Sequence, residues 1–290
     1  MKIKVCLLIL SLIVAGLAAA QEKQSIAPPP KVLVITREFV KPGRAGTAHE
    51  KTESTFVQAF SNSKWPTHYL AVDSLSGRPR SLFLTGYETF EAWEKDTLAV
   101  QKNAALSASL DRAALSDGDQ LAEIDGGTFA YREDFSLRPG ADIPHMRYFE
   151  ILRFHTRPGH DKDWESLVKL VMAAYEKMPD VQWACYQSVF GTPDGTFLFF
   201  IPRKSASEID RAFAQGKQFE AAMGEEGMKQ MRELSATTIE SNETNLFVFN
   251  PRMSYVSEEW TKADPEFWTV KPAVASNHPK KKGETQAAKK

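Results

Sequence analysis

The hydrophobic positions of this chain change period several times, and each change marks an element. Val32 to Phe39 is apolar on both faces and rich in β-branched residues, which predicts a buried strand, and Pro42-Gly43 ends it. From Thr47 to Ser61 the spacing lengthens: Ala48, Phe56, Ala59 and Phe60 fall on one helical face, with Glu50, Lys51 and Glu53 interspersed. Trp65-Pro66 closes that helix. Thr67 to Val72 and Ser81 to Gly86 are extended again and flank the turn Ser76-Gly77-Arg78-Pro79, so they predict a hairpin. Thr89 can cap a second helix carrying Phe90, Trp93 and Leu98, and Ala104 to Leu115 adds a further helical piece. Gly126-Gly127 is expected to introduce a fourth strand, Thr128 to Glu133.

The same order then returns. Met146 to His155 predicts a strand, and Asp161 to Lys177 a helix on which Trp164, Leu167, Val168, Val171 and Tyr175 keep helical spacing. Val181 to Phe190 and Thr196 to Ile201 form a hairpin around Gly191-Thr192-Pro193. Ser205 to Glu208 fits a capping box, helical pieces run to about Thr238, and Asn245 to Phe249 ends the unit. Arg37-Glu38-Phe39-Val40-Lys41-Pro42-Gly43 has a counterpart in Arg153-Phe154-His155-Thr156-Arg157-Pro158-Gly159, with the Arg and the Pro-Gly step at the same separation. The expected fold is therefore α+β, with two tandem ferredoxin-like βαββαβ domains over residues 31–133 and 146–250 and a linker over 134–145 that holds two prolines and a glycine. Such a unit covers one sheet face with helices. The first strand is apolar on both faces, so the antiparallel sheets are expected to pack on each other as an intrachain pseudo-dimer, a closed or nearly closed barrel.

With this element order, the Pro-Gly turn after each first strand and the aromatic hairpin, the chain resembles the dimeric α/β-barrel superfamily. That group includes antibiotic-biosynthesis-monooxygenase-like and NIPSNAP-like domains, with chlorite dismutase-like haem proteins among its tandem relatives. The resemblance covers residues 31–133 and 146–250. It implies the fold and leaves three kinds of function open: cofactor-free oxygenase, haem protein or plain binding protein.

Outside the repeats, residues 1–20 carry Lys2 and Lys4, an apolar run from Val5 to Leu17, and Ala18-Ala19-Ala20, the pattern of a signal peptide. The run is short for a membrane span, so a protein exported to the periplasm or the extracellular space is expected, with no stable membrane insertion after cleavage. Residues 21–30 form a Pro-rich linker. Cys185 is the only cysteine left after Cys6 leaves with the leader, so no intrachain disulfide is expected. A net charge of −1 offers no basic surface for nucleic acid, and Lys280, Lys281, Lys282, Lys289 and Lys290 sit in a tail expected to be solvated and disordered. In the extension over 251–290, Tyr255, Trp260, Phe267 and Trp268 predict a part that packs before that tail begins.

Candidate chemistry is sparse. Arg37 and Arg153 share strand parity with Ile35 and Ile151, so both can enter the space between the sheets, either in structural ion pairs with Glu38, Glu150 or a helix carboxylate, or as anion-recognising ligand-binding residues. His155 shares that parity and His68 lies two residues from Leu70; each is either a partly buried core histidine or a catalytic base or haem ligand. Tyr69, Trp183 and Tyr186 are core rings or the wall of a pocket for a flat apolar ligand, Tyr186 being a further catalytic candidate. Cys185 reads as a small buried hydrophobe. No histidine shows a metal spacing, so no metal and no cofactor is expected. The composite expectation is a binding protein for a small apolar or aromatic ligand, with a cofactor-free monooxygenase-like enzyme as the alternative and a haem protein behind it. An internal pseudo-dimer lessens the need for a second chain, and a homo-oligomer stays open.

Overall fold

The computed structural model describes residues 28–269; the leader-like segment and the basic tail lie outside the described residues. The first half runs β1 (Val32–Val40), α1 (Thr47–Asn62), β2 (Tyr69–Ser74), β3 (Arg80–Tyr87), α2 (Phe90–Lys102), α3 (Ala104–Gly118) and β4 (Leu121–Tyr131). The second runs β5 (Tyr148–Thr156), α4 (Asp161–Tyr175), β6 (Ala184–Phe190), β7 (Thr196–Arg203), α5 (Ser207–Ala214), α6 (Gly216–Thr238) and β8 (Ile239–Phe249), followed by the short helices α7 (Glu258–Ala263) and α8 (Pro265–Trp268).

All eight strands form one closed antiparallel barrel in the order β1-β3-β2-β8-β5-β7-β6-β4. The halves are therefore joined by backbone hydrogen bonds as well as by packing: β2 pairs with β8 from Val72 opposite Phe249 onward, and β4 pairs with β6 from Thr128 opposite Phe190. The two ladders that close the barrel are short, Val72–Ser74 with Phe247–Phe249 and Thr128–Tyr131 with Tyr186–Phe190, so the first parts of β4 and β8 pair on one side alone. Inside the barrel, Leu33, Ile35, Leu70, Val72, Leu82, Leu84, Phe129, Phe149, Ile151, Leu198, Phe200, Phe247 and Phe249 make one packed core. The helices lie on the outside, where Leu152 and Phe154 of β5 and Phe199 of β7 pack with Trp164, Leu167 and Val168 of α4.

Several element ends differ from the sequence expectation, each for a local reason. β4 starts at Leu121, so Gly126 and Gly127 lie inside it instead of before it. A Cβ on Gly126 would sit 2.7 Å from the Ile35 carbonyl oxygen, and one on Gly191, at φ 81°, would sit 2.5 Å from the Gly126 carbonyl oxygen. Gly126 thus marks a close backbone approach inside a strand, and Gly191 is the hairpin-turn residue that packs on it. β8 begins at Ile239 because Glu240 to Thr244 carry an exposed stretch of ladder with no apolar signal. The segment over 134–145 is not a loose connection: Phe135 and Leu137 are buried, and Leu137 pairs with Trp183. The extension after β8 also packs. Tyr255 exchanges both backbone hydrogen bonds with Tyr69, and Trp268 enters the barrel core while its indole N–H donates to the Pro144 carbonyl at 2.8 Å. Among the described residues, no helix is long and apolar enough to cross a membrane.

Candidate functional site

One mouth of the barrel opens into a cavity of about 590 Å³. Leu33, Leu70, Leu84, Phe149 and Phe200 form its floor, so it is the place where the barrel core stops short of filling the space. Its rim comes from Pro28–Pro30, from Pro66 to His68, from the segment Ala141–Pro144, and from Val256 to Trp260 of the extension. Asp96 of α2 fixes much of that rim by accepting three hydrogen bonds, from the Trp65 indole at 2.9 Å, the Thr67 hydroxyl at 2.6 Å and the Tyr87 hydroxyl at 2.9 Å.

Four of the residues singled out from the sequence meet here: His68, Tyr69, Trp183 and Tyr186. The His68 ring stacks on Tyr255 at 4.8 Å, and burial lowers its pKa against a smaller opposing contribution from the Pro66 backbone, so the imidazole is neutral at pH 7. Tyr186 donates to the Pro30 carbonyl at 3.1 Å, which ties the chain entering β1 to β6; burial holds its hydroxyl protonated. Trp183 donates to the Phe135 carbonyl at 2.8 Å and stands, with Gln182 and Pro202, between this cavity and a second one. Tyr69 contributes to the wall, but its ring turns outward to pack on Phe60, Phe83 and Tyr255. Its buried hydroxyl has no partner. A wall of this kind presents aromatic and aliphatic faces with Thr67, His68, Asp142, Gln182, Ser257 and Glu259 as its polar groups, a lining suited to a small flat ligand.

The other three candidates lie toward the opposite end. Arg37 grips Asp125 with two bonds of 2.6 Å, and Arg153 is 3.6 Å from Glu243. Each pair joins directly opposed residues of neighbouring strands, so the partners are not Glu38 and Glu150. Those carboxylates follow the outward parity and meet His49 and Arg203 instead. Arg37, Arg80 and Arg153 line a slot of only about 50 Å³, enough for little more than a water. His155 has the parity expected but lies past this slot, paired with Glu240 at 3.1 Å. Cys185 is fully buried, and burial raises its pKa.

The second cavity, about 800 Å³, lies outside the barrel under α4, α5 and α6, and Phe154, Trp164, Trp183, Phe219 and Met231 are among its walls. The Trp164 indole N–H and the Arg203 Nε there have no partner. No histidine lines it, so a histidine-ligated haem does not fit that space.

Sequence reasoning missed one group. Glu38 of β1, His49 and Glu53 of α1, and Asp117 of α3 bring one ligand atom each to within 4.8 Å of one another, all buried. Burial, and then the neighbouring Glu38 and Asp117, push Glu53 up to about 10. Burial also raises Glu38; it lowers His49, but the Glu38 hydrogen bond and Asp117 outweigh it and the net shift is upward. The only signal in the sequence was His49 and Glu53 one helical turn apart.

No family model matches the chain, and no curated protein matches it by sequence. Solved structures do. A candidate monooxygenase of Fusobacterium nucleatum shares the fold at 12% identity and TM-score 0.50, over 76% of this chain and 93% of that one. A candidate monooxygenase of Lactobacillus acidophilus matches at 7% identity and TM-score 0.47, over 75% and 93%. A chlorite dismutase variant of Candidatus Nitrospira defluvii, in complex with cyanide, matches at 11% identity and TM-score 0.44, over 80% and 95%. At these identities the likeness concerns the fold.

Proposed function

We propose that the chain is an exported small-molecule-binding protein whose site is the barrel mouth, built on two ferredoxin-like units over residues 31–133 and 146–250. The observation that carries the reading is the interruption of an otherwise packed barrel core by a cavity of about 590 Å³ whose walls hold Trp183, Tyr186, Trp260 and a neutral His68. The ligand class is a small flat apolar or aromatic molecule. Titrating such compounds while following tryptophan emission is expected to give saturable binding, since Trp183 and Trp260 line the site. Ala184→Trp, which projects a ring from the wall into the cavity, should weaken binding at least about tenfold, a loss of about 1.4 kcal/mol, with the circular dichroism spectrum kept. Absence of saturable binding across the panel, or binding untouched by that substitution, rejects the reading.

A second reading, a cofactor-free monooxygenase, is favoured by one feature: the neutral imidazole of His68 on the wall of a largely apolar site. Such a base takes a proton from an acidic phenol and leaves an electron-rich phenolate for reaction with oxygen. Oxygen uptake with a bound phenol, lost in His68→Ala while binding persists, supports it; no uptake with any compound that binds rejects it.

A further inference from the structure

We propose that Glu38, His49, Glu53 and Asp117 bind a divalent first-row transition-metal ion in the layer between the helices and the sheet of the first half. The four side chains are 6%, 2%, 3% and 2% exposed, and three separate elements deliver them. His49 Nε2 lies 3.0 Å from a Glu38 oxygen and 3.6 Å from an Asp117 oxygen. Ligand atoms bonded at about 2.1 Å to one ion stand about 3.0 Å apart at a right angle and about 3.4 Å apart at a tetrahedral angle, so these two separations, the shorter of them a hydrogen bond when no ion is bound, are compatible with a common centre for four ligand atoms that lie within 4.8 Å of one another.

Two further observations point to a missing partner. Glu53 Oε1 is buried in this cluster with no hydrogen-bond partner, and the hydroxyl of Tyr69 in β2 of the same half is also buried without one. Buried polar atoms are satisfied in the great majority of cases, so an orphaned carboxyl oxygen inside a set of potential ligand atoms calls for a ligand. The charge balance agrees. Among the described residues, no Lys or Arg bonds to any of the four, so three carboxyl groups share His49 as the one basic side chain bonded within the set. A dication removes that imbalance.

The surroundings orient the set. Ser81 meets His49 Nδ1 at 3.5 Å and donates to Asp73, which also accepts from Asn250, so the outward-facing nitrogen is held and Nε2 points into the cluster. Thr52 donates to Asp117. One imidazole with three carboxylates suits Mn²⁺, Fe²⁺ or Zn²⁺ better than a soft ion such as Cu⁺. None of the three cavities includes these residues, so the ion clamps β1, α1 and α3 together instead of meeting a substrate.

The test is metal content. The full chain, stripped with chelator and then exposed to Zn²⁺ or Mn²⁺ both as folded protein and during refolding, should retain about one equivalent through gel filtration, with a higher Tm than the metal-free form. Glu53→Gln should bind at least about tenfold more weakly, and its metal-free Tm should match or exceed that of the wild type because a buried carboxylate is gone. Ser81→Ala, a positioning change, should weaken affinity by about 10–100-fold. Should Glu53→Gln fail to fold, Asp117→Asn is judged by the same measure. No stoichiometric uptake by the wild type by either route, or undiminished uptake by the folded variants, overturns the proposal.

Discussion

The layers between helices and sheet in the two halves of the chain carry opposite chemistry at comparable strand and helix positions. Glu38 and Phe154 each follow the arginine of a first strand, and their opposed residues on the hairpin strand are Ser81 and Phe197. The helix above supplies His49 and Glu53 in one half, and Trp164 and Val168 in the other, again one turn apart. In the second half the rings close on each other, with Phe154 at 5.4 Å and Phe197 at 4.9 Å from Trp164. In the first half the corresponding space holds three carboxylates and an imidazole. The aromatic half shows that these positions do not require polar groups. Keeping carboxylates out of water is costly, so the quartet is the part of the molecule that asks for a role beyond folding.

The sharpest contrast comes from truncating each layer. Trp164→Ala should cost about 3–5 kcal/mol in urea unfolding, since a large buried ring is replaced by a void. Glu53→Leu in metal-free protein should have the opposite sign, neutral to about 1–4 kcal/mol stabilising, because an apolar side chain replaces a buried carboxyl group with an unsatisfied oxygen and no cationic partner. A loss of 3 kcal/mol or more at Glu53, about the size of breaking a buried pair, would mean that the quartet is a satisfied polar core and would collapse the contrast.

A smaller difference concerns how the C-terminal extension is held. The first half binds it through the backbone bonds between Tyr69 and Tyr255, which do not titrate. The second half uses His145, which meets Asp142 at 2.7 Å and the Ala263 carbonyl at 3.0 Å, and Arg147 paired with Asp264. The Asp142 hydrogen bond raises the His145 pKa above its ordinary value, with burial opposing it and Asp264 adding to it. Its contribution is complete below the unfolded value near 6.5 and is lost as pH rises through the higher folded value. Proteolysis between β8 and Trp268 should therefore quicken on going from pH 6 to pH 8, by well under about 1 kcal/mol because the pair is a third exposed, and His145→Gln should remove the change. A rate that is flat with pH in the wild type would leave the docking to the Tyr69–Tyr255 bonds, the Arg147–Asp264 pair and Trp268, without His145.

Much of the fold was legible along the chain because it depends on local period: the strand-helix order, the hairpins and the equivalence of Arg37 and Arg153 all follow from spacing and turn residues. The errors fell where the signal was not local. Gly126 and Gly127 look like a strand entry in one dimension; in three, Gly126 lies against the β1 backbone and Gly127 under the Phe129 and Thr192 side chains. Of the site candidates, parity correctly put His155 on the same strand face as Arg153, but parity carries no information about position along the barrel, and so could not separate His155 at one end from His68 at the other.

Composition, element order and the strand faces were determined by the sequence itself, because side-chain period is read residue by residue. Closure of the barrel, the mouth cavity and the Glu38–His49–Glu53–Asp117 quartet were decided only by tertiary structure. Each depends on contacts between segments far apart in the chain, such as β2 with β8, β4 with β6, and Asp117 with His49, and no local pattern encodes which distant segments will meet.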